Sequence, residues 1–162
     1  MNLLIIFIAK YLFLLSIIIF LYFLWKMEPG LRNKFLLFSF IAFPLSYISA
    51  KFLSHFIYDP RPFVVEHVAP LIRHAPDNGF PSDHMLLTMT IASVVFVYNK
   101  RIGILLTVIA VSIGVSRVLA KVHHPWDIIG SAVIAVFASC AAYFILPFVV
   151  KYLKRRVTWD MS

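Results

Sequence analysis

Cysteine is almost missing from this chain. Cys140 stands alone in the middle of an apolar run, so neither an internal disulfide nor a cysteine metal cluster is possible. Acidic residues are scarce as well, seven against fifteen Lys and Arg, which leaves a formal net charge of +8. Charges of either sign hardly occur at the middle of the apolar runs, which argues against a charge-lined path for ions or solutes. The chain also lacks the repeated halves of many transporters, and it has no low-complexity segment beyond its apolar bias.

What it has in excess is apolar length. An apolar content of 62% with mean hydropathy +0.91 lies far from the soluble norm and reads as an integral membrane protein. Five runs, 3–25, 35–57, 80–98, 102–120 and 128–150, reach the roughly 20 residues that a bilayer core demands of a helix. The expected fold is therefore all-α, a polytopic membrane helical bundle of about five spans forming a single domain over residues 1–162. The first run has only Lys10 within it, no basic residue ahead of it and no small-residue cleavage pattern before Lys26, so it is expected to stay as an anchor rather than be removed as a signal peptide.

Position explains the positive charge. Nine of the fifteen cations fall in three places: Lys26, Arg32 and Lys34 after the first run, Lys100 and Arg101 after the third, and Lys151, Lys154, Arg155 and Arg156 after the fifth. With five spans these places share one side of the membrane, and the positive-inside rule makes it the cytoplasm. The charge is thus topological, no nucleic acid is expected as a partner, and Lys154-Arg155-Arg156 is a membrane-flanking patch able to touch anionic lipid. The amino terminus and the 51–79 and 117–127 connections then face outward, and the carboxy terminus inward. All six histidines (55, 67, 74, 84, 123, 124) and five of the seven acids (59, 66, 77, 83, 127) sort to that outer side. Solvated loops give no reason for such sorting; a catalytic or ligand-binding face does.

Three polar clusters stand there. Lys51 and His55, four apart at the end of the second run, share a helix face and precede Arg61-Pro62. Prolines 60, 62, 70 and 76 make the 59–79 connection a fixed, folded loop, suited to a lid over an outward site. Pro81-Ser82-Asp83-His84 opens the third helix, with Pro81 at its first position and Ser82 and Asp83 either capping it or helping its free amides hold an anion. Between the fourth and fifth runs, Ser116 to Asp127 packs Arg117, Lys121, His123, His124 and Asp127 into twelve positions. If the chain is helical around Pro125, Asp127, four past His123, lies on the same face as that imidazole and can fix its tautomer. Pro44 in the second run predicts a kink, and Gly130, Ser131, Ala132, Ala135, Ala138, Ser139, Ala141 and Ala142 predict close helix contact along the fifth.

Together the clusters resemble the three signature motifs of the type-2 phosphatidic acid phosphatase superfamily. The third motif, Ser-Arg, five residues, His, three residues, Asp, is matched without gaps from Ser116 to Asp127. The second normally reads Pro-Ser-Gly-His; Asp83 replaces its glycine, a variant similar to the bacitracin-resistance type of undecaprenyl-diphosphate phosphatase, and Asp77-Asn78-Gly79-Phe80 adds to that likeness. The first departs from pattern: the family places its lysine seven positions before Arg-Pro, where this chain has Ser54, and Lys51 stands one helical turn earlier. Family members commonly have six helices, one more than counted here.

The resemblance implies a phosphatase acting on a lipid. His123 would be the nucleophile forming a phosphohistidine, Asp127 its orienting carboxylate and His84 the general acid and base. Lys51, Arg61, Ser82 and Arg117 would hold the phosphate, with Asp83, His124 and Ser116 as further candidates. Three cations and a helix end neutralise a phosphoryl group, so no metal or other cofactor is expected. The implied substrate is a polyprenyl diphosphate, undecaprenyl diphosphate in the narrower likeness, met at the outer leaflet without an obligate protein partner. Another lipid phosphate (phosphatidylglycerophosphate, phosphatidate or lipid A), phosphate transfer to a lipid acceptor, and a histidine-lined metal or solute transporter are the alternatives.

Overall fold

A computed structural model describes residues 2–159, apart from the side chains of residues 154 and 156–159. The lipid-contact reading of Lys154 and Arg156 therefore lies outside the described residues. The described chain is helical with no strand: α1 (Asn2–Lys26), α2 (Pro29–Phe56), a single turn α3 (Pro62–Val65), α4 (Asp83–Tyr98), α5 (Lys100–Leu119) and α6 (Pro125–Trp159). A segment in hydrocarbon has to satisfy its backbone polar groups internally, and a helix does this residue by residue. Four helices, α1, α2, α5 and the 125–153 part of α6, are long and apolar enough to cross a membrane, as a multi-pass membrane protein requires.

The third expected span is shorter than its apolar run. Although that run starts at Phe80, α4 begins only at Asp83 and has 16 residues, about 24 Å at 1.5 Å per residue. Pro81 thus precedes the helix instead of opening it, and Ser82 stands at the cap position without a side-chain capping bond. A short helix suffices because α4 is central: it packs against α1, α2, α5 and α6. Thr88, Met89, Thr90, Ile91, Ala92, Val94 and Val95 are all buried along it. Its hydroxyls are satisfied locally or by a neighbour. Thr88 and Thr90 donate to the carbonyls of His84 and Leu86, and Thr90 also meets Ser46 of α2 at 2.9 Å.

Other boundaries follow turn chemistry. Helix α2 starts at Pro29, ahead of its apolar run at 35–57, because proline suits a first helical position, and it continues through Pro44. Asn99 caps α5, its side chain accepting from the Ile102 amide at 3.1 Å. Large apolar side chains such as Phe7, Ile18, Phe40, Phe137 and Phe144 face outward, a liability in water and the normal state against lipid. Most of the small-residue stripe of α6 is used as expected, with Ser131, Ala135, Ala138, Ser139 and Ala142 buried, whereas Ala141 is exposed. A Cβ at Gly130 would collide with the Phe80 ring, and one at Gly114 would meet Ile128 Cγ2 at 2.5 Å.

The 59–79 connection is folded, as its prolines suggest. Phe63 and Leu71 donate their amides to the carbonyls of Lys121 and Ala120, and Lys121 pairs with Glu66 at 2.8 Å. Ile72 joins Ala9, Ala120 and Val122 in a small second core. Lys121 adopts φ 61, a left-handed conformation uncommon outside glycine, which lets the chain reverse between α5 and α6 and turn its carbonyl toward Phe63. The loop is thereby fastened to the turn that carries His123.

Candidate active site

The ends of α2 and α5, the starts of α4 and α6, and the 59–79 loop meet at one end of the bundle. They enclose a cleft of about 290 Å³ lined by Lys51, Arg61, His74, Asp83, His84, Arg117 and His123, with Ser54, Asp77, Asn78, Phe80 and Pro81 completing the wall. Helix direction produces this convergence, since α2 and α5 end where α4 and α6 begin.

His123 is the best-constrained side chain of the site, 2% exposed. Its Nδ1 lies 2.9 Å from the Gly79 carbonyl oxygen and 3.2 Å from Asp127 Oδ2. Both partners accept, so Nδ1 carries the proton and Nε2 keeps its lone pair. Nε2 faces Arg61 Nη1 at 3.3 Å and Arg117 Nη2 at 3.2 Å. Burial pushes the imidazole below its ordinary value of 6.5; the Asp127 hydrogen bond opposes this, while Arg117 and Arg61 reinforce it. The result is a neutral imidazole whose unprotonated nitrogen stands beside two cations.

The supporting groups are themselves held. Asp127 is fully buried, its Oδ2 accepting also from the His124 amide at 2.9 Å. Arg61 donates Nε to Asp77 Oδ1 at 2.7 Å, Nη1 to the Val122 carbonyl at 2.8 Å and Nη2 to the Asn78 carbonyl at 3.4 Å. Burial raises the Asp77 carboxyl, but the hydrogen bond and charge of Arg61 outweigh it and leave the group below its ordinary range. Arg117 reaches the Ala9 carbonyl of α1 through Nη1 at 3.4 Å, while its buried Nε has no protein partner. Two guanidinium groups with unspent donors, side by side at the floor of a cleft, suit a tetrahedral oxyanion.

Asn78 ties the first two motifs together. Its Oδ1 accepts the amides of Asp59 and Phe80, and its Nδ2 donates to the Ser54 and Ile57 carbonyls at the end of α2. Gly79 is tight for a related reason: a Cβ there would sit 3.0 Å from both Asp127 Oδ2 and the Asp59 carbonyl. Side chains at this position would displace the carboxylate that orients His123.

Of the residues expected from sequence, Lys51, Arg61, Asp83, His84, Arg117 and His123 line the cleft, with Asp127 behind His123. Lys51 does so despite its shifted spacing, and Ser54, at the family's lysine position, lines it too. Ser82 lies between two lining residues but is fully buried; its amide donates to Ser131 Oγ at 2.8 Å and its hydroxyl has no partner. Ser116 is buried outside the lining, and its carbonyl accepts the Ala120 amide. His124 points elsewhere, to Asp59 at 3.0 Å. Burial and the nearby Asp127 raise the Asp59 carboxyl, against the lowering effect of His124. Asp59, His124 and Asp127 are the one trio among the described residues with donor atoms within 4.8 Å of one another, a spacing that could take a metal ion. Most of those atoms are already engaged: His124 Nδ1 with Asp59, and Asp127 Oδ2 with His123 Nδ1 and the His124 amide. His74 was not singled out by any motif, yet its ring lies 6.1 Å from that of His123, and burial together with Arg61 and Arg117 lowers its pKa.

The PAP2 superfamily model matches residues 34–151, nearly the whole of α2 through α6. The chain belongs to the PAP2 superfamily. Among curated PAP2 relatives it is similar to the bacitracin transport permease protein BcrC of Bacillus licheniformis, 30% identical over 124 residues, covering 76% of this chain and 61% of that protein. The undecaprenyl-diphosphatase BcrC of Bacillus subtilis is 39% identical over 79 residues, covering 49% and 41%. The putative undecaprenyl-diphosphatase YbjG of Escherichia coli is 33% identical over 106 residues, covering 65% and 54%. The chain thus spans between 41% and 61% of the length of these relatives. Its PAP2 fold is also that of Aquifex aeolicus LpxE in a crystal structure, with TM-score 0.63 at 24% identity, covering 86% of this chain and 92% of that one.

Proposed function

We propose that the chain is a membrane phosphatase of lipid diphosphates, acting on undecaprenyl diphosphate to release its terminal phosphate and recycle the carrier lipid for cell-wall synthesis. The observation that carries this reading is His123: Nδ1 pinned by two acceptors, Nε2 unprotonated and facing two guanidinium groups in a cleft at the end of a membrane bundle. The two relatives named as undecaprenyl-diphosphatases support the choice of substrate.

In this scheme Arg61, Arg117 and Lys51 hold the nonbridging oxygens of the terminal phosphate. Nε2 of His123 attacks phosphorus, forming an N–P bond as the P–O bond to the lipid phosphate breaks. The developing positive charge on the ring is balanced by Asp127 through Nδ1–H. His84 gives a proton to the departing oxygen, then takes one from a water that attacks the phosphohistidine, releasing inorganic phosphate and restoring His123. Phosphoryl charge is met by fixed cations, so no metal is assigned. The cleft opens to the extracytoplasmic side of a bacterial cytoplasmic membrane, with Lys26, Lys34, Lys100 and Arg101 at the opposite, cytoplasmic end. No protein partner is assigned.

Phosphate release from undecaprenyl diphosphate, phosphatidylglycerophosphate and phosphatidate, measured in detergent with a chelator present, tests the reading. Turnover is expected to be strongest on the first. Preference for a monoester, or dependence on an added divalent ion, would reject it. A cysteine introduced at Arg73 in a Cys140→Ala background should react with an impermeant reagent from outside intact cells. Labelling only after lysis would invert the topology.

A further inference from the structure

A second cavity of about 450 Å³ adjoins the catalytic cleft. It is lined by Ile6 and Lys10 of α1, by Leu71, Ile72, Arg73 and His74 of the loop, and by His84 and Arg117. His74, His84 and Arg117 also line the catalytic cleft, whereas His123 lines only the cleft. These three residues therefore form the partition between the two spaces. The cavity has cationic walls without a lining carboxylate, and neither Lys10 nor Arg73 makes an ion pair among the described residues. Lys10 is exposed, with its ammonium 5.2 Å from the Tyr11 ring centroid, and Arg73 is exposed as well. The Nε of Arg117, buried without a partner, adds a donor within the shared wall.

In-line displacement gives this arrangement a meaning. Attack by His123 from the cleft expels the leaving oxygen on the opposite face of phosphorus, toward the acid His84. Whatever is bonded to that oxygen then extends past His84, into the cavity that His84 also lines. We infer that Lys10 and Arg73 form a second phosphate subsite, which holds the lipid-bearing phosphate of a diphosphate substrate while the first phosphate is removed at His123. Ile6, Leu71 and Ile72 supply an apolar wall for the first carbons of the tail. A leaving group that is itself a phosphate keeps the negative charge of its nonbridging oxygens after His84 protonates the departing one, and two otherwise unpaired cations stabilise that charge as the bond breaks. The cavity thereby favours a diphosphate over a monophosphate bearing the same tail. This rests on the lipid-diphosphatase reading, and it adds the residues that separate the two substrate classes.

The test compares farnesyl diphosphate with farnesyl monophosphate, which share a tail, in the full-length protein and in Lys10→Gln/Arg73→Gln. The ratio of kcat/KM for diphosphate to that for monophosphate should fall by about 30-fold or more in the double variant. Lys10→Arg/Arg73→Lys should recover most of it, and Lys26→Gln, at the other end of the bundle, should leave it unchanged. Equal losses on both substrates, or an unchanged ratio, would overturn the subsite. If the unaltered protein turns over neither substrate, the phosphatase reading fails first, and binding decides the subsite separately. Farnesyl methylenediphosphonate should then bind more tightly than farnesyl phosphonate by calorimetry, with that preference lost in Lys10→Gln/Arg73→Gln. Equal affinities in the unaltered protein would reject it.

Discussion

The floor and the rim of the site are built differently. Arg61, Arg117, His123 and Asp127 at the floor are between 0% and 5% exposed, and each is hydrogen-bonded within the protein. Lys51, Asp83, Lys10 and Arg73 at the rim are exposed, and Lys51 leans on Tyr47 at 5.4 Å from the ring centroid. Preorganisation is valuable where charge develops during reaction, because donors already in place need no reorganisation at that moment. On the proposed function the rim has another task, to admit and sort lipid headgroups, and long exposed side chains can adjust to them. Floor substitutions should therefore act on kcat, and rim substitutions on KM and substrate preference.

The sharpest break in that contrast is His123→Ala, which should lower kcat by roughly 10⁴-fold or more, since a covalent route loses its nucleophile. Rapid acid-free quenching of the unaltered protein with labelled substrate should trap an acid-labile phosphoprotein that the variant lacks. Retained turnover would reject the assignment. Asp127→Asn should be milder, about 10²-fold in kcat. Loss of an orienting carboxylate reaches roughly 10⁴-fold where the tautomer is lost with it, but here the Gly79 carbonyl still accepts from Nδ1 at 2.9 Å. A drop as large as that of His123→Ala would show that Gly79 does not hold the ring alone.

The floor was largely legible in sequence and the rim was not, for a physical reason. Buried ionic groups need particular partners at particular spacings, so His123, Asp127 and Arg117 stand as an ungapped pattern, and apolar run length placed their helices. The adjusting parts leave weaker traces. Lys51 was reachable only by its helix face, one turn from the family position, and the structure adds Ser54 beside it. His74 carries no motif; its sole sequence signal was the gathering of histidines on one side, and only the loop's attachment to the 120–122 turn brings it near His123. Lys10 stood out in sequence only as the lone cation of the first apolar run, because nothing in a linear pattern says that α1 flanks Arg117. The start of α4 was misplaced by two residues, at Pro81 instead of Asp83, because Phe80 and Pro81 continue the apolar run without continuing the helix.

Arg61→Gln tests how the floor tunes its nucleophile. In the proposed scheme Arg61 binds phosphate, and with burial and Arg117 it lowers the pKa of His123. Attack requires the unprotonated Nε2, so the acid limb of kcat/KM for the unaltered protein should fall below 6.5, the ordinary histidine value. Removing one cation weakens the depression, so the limb should move to higher pH in the variant, alongside a loss of about 10- to 100-fold at the optimum. A limb that stays in place would mean that His123 does not set it.

Lys51→Gln should have the smallest effect of the series. Its ammonium works at the exposed rim, where water screens it, and its interaction with phosphate is a point charge rather than a two-pronged grip. A rise in KM of about 3- to 10-fold with kcat changed less than twofold is expected, measured on undecaprenyl diphosphate at low and at high salt. The KM difference between unaltered protein and variant should shrink as salt is raised, whereas the deficit of Arg61→Gln should persist because Arg61 is only 5% exposed. If Lys51→Gln instead removes kcat as deeply as Arg61→Gln does, Lys51 closes onto the phosphate during turnover, and the division between a fixed floor and an adjusting rim fails at that residue.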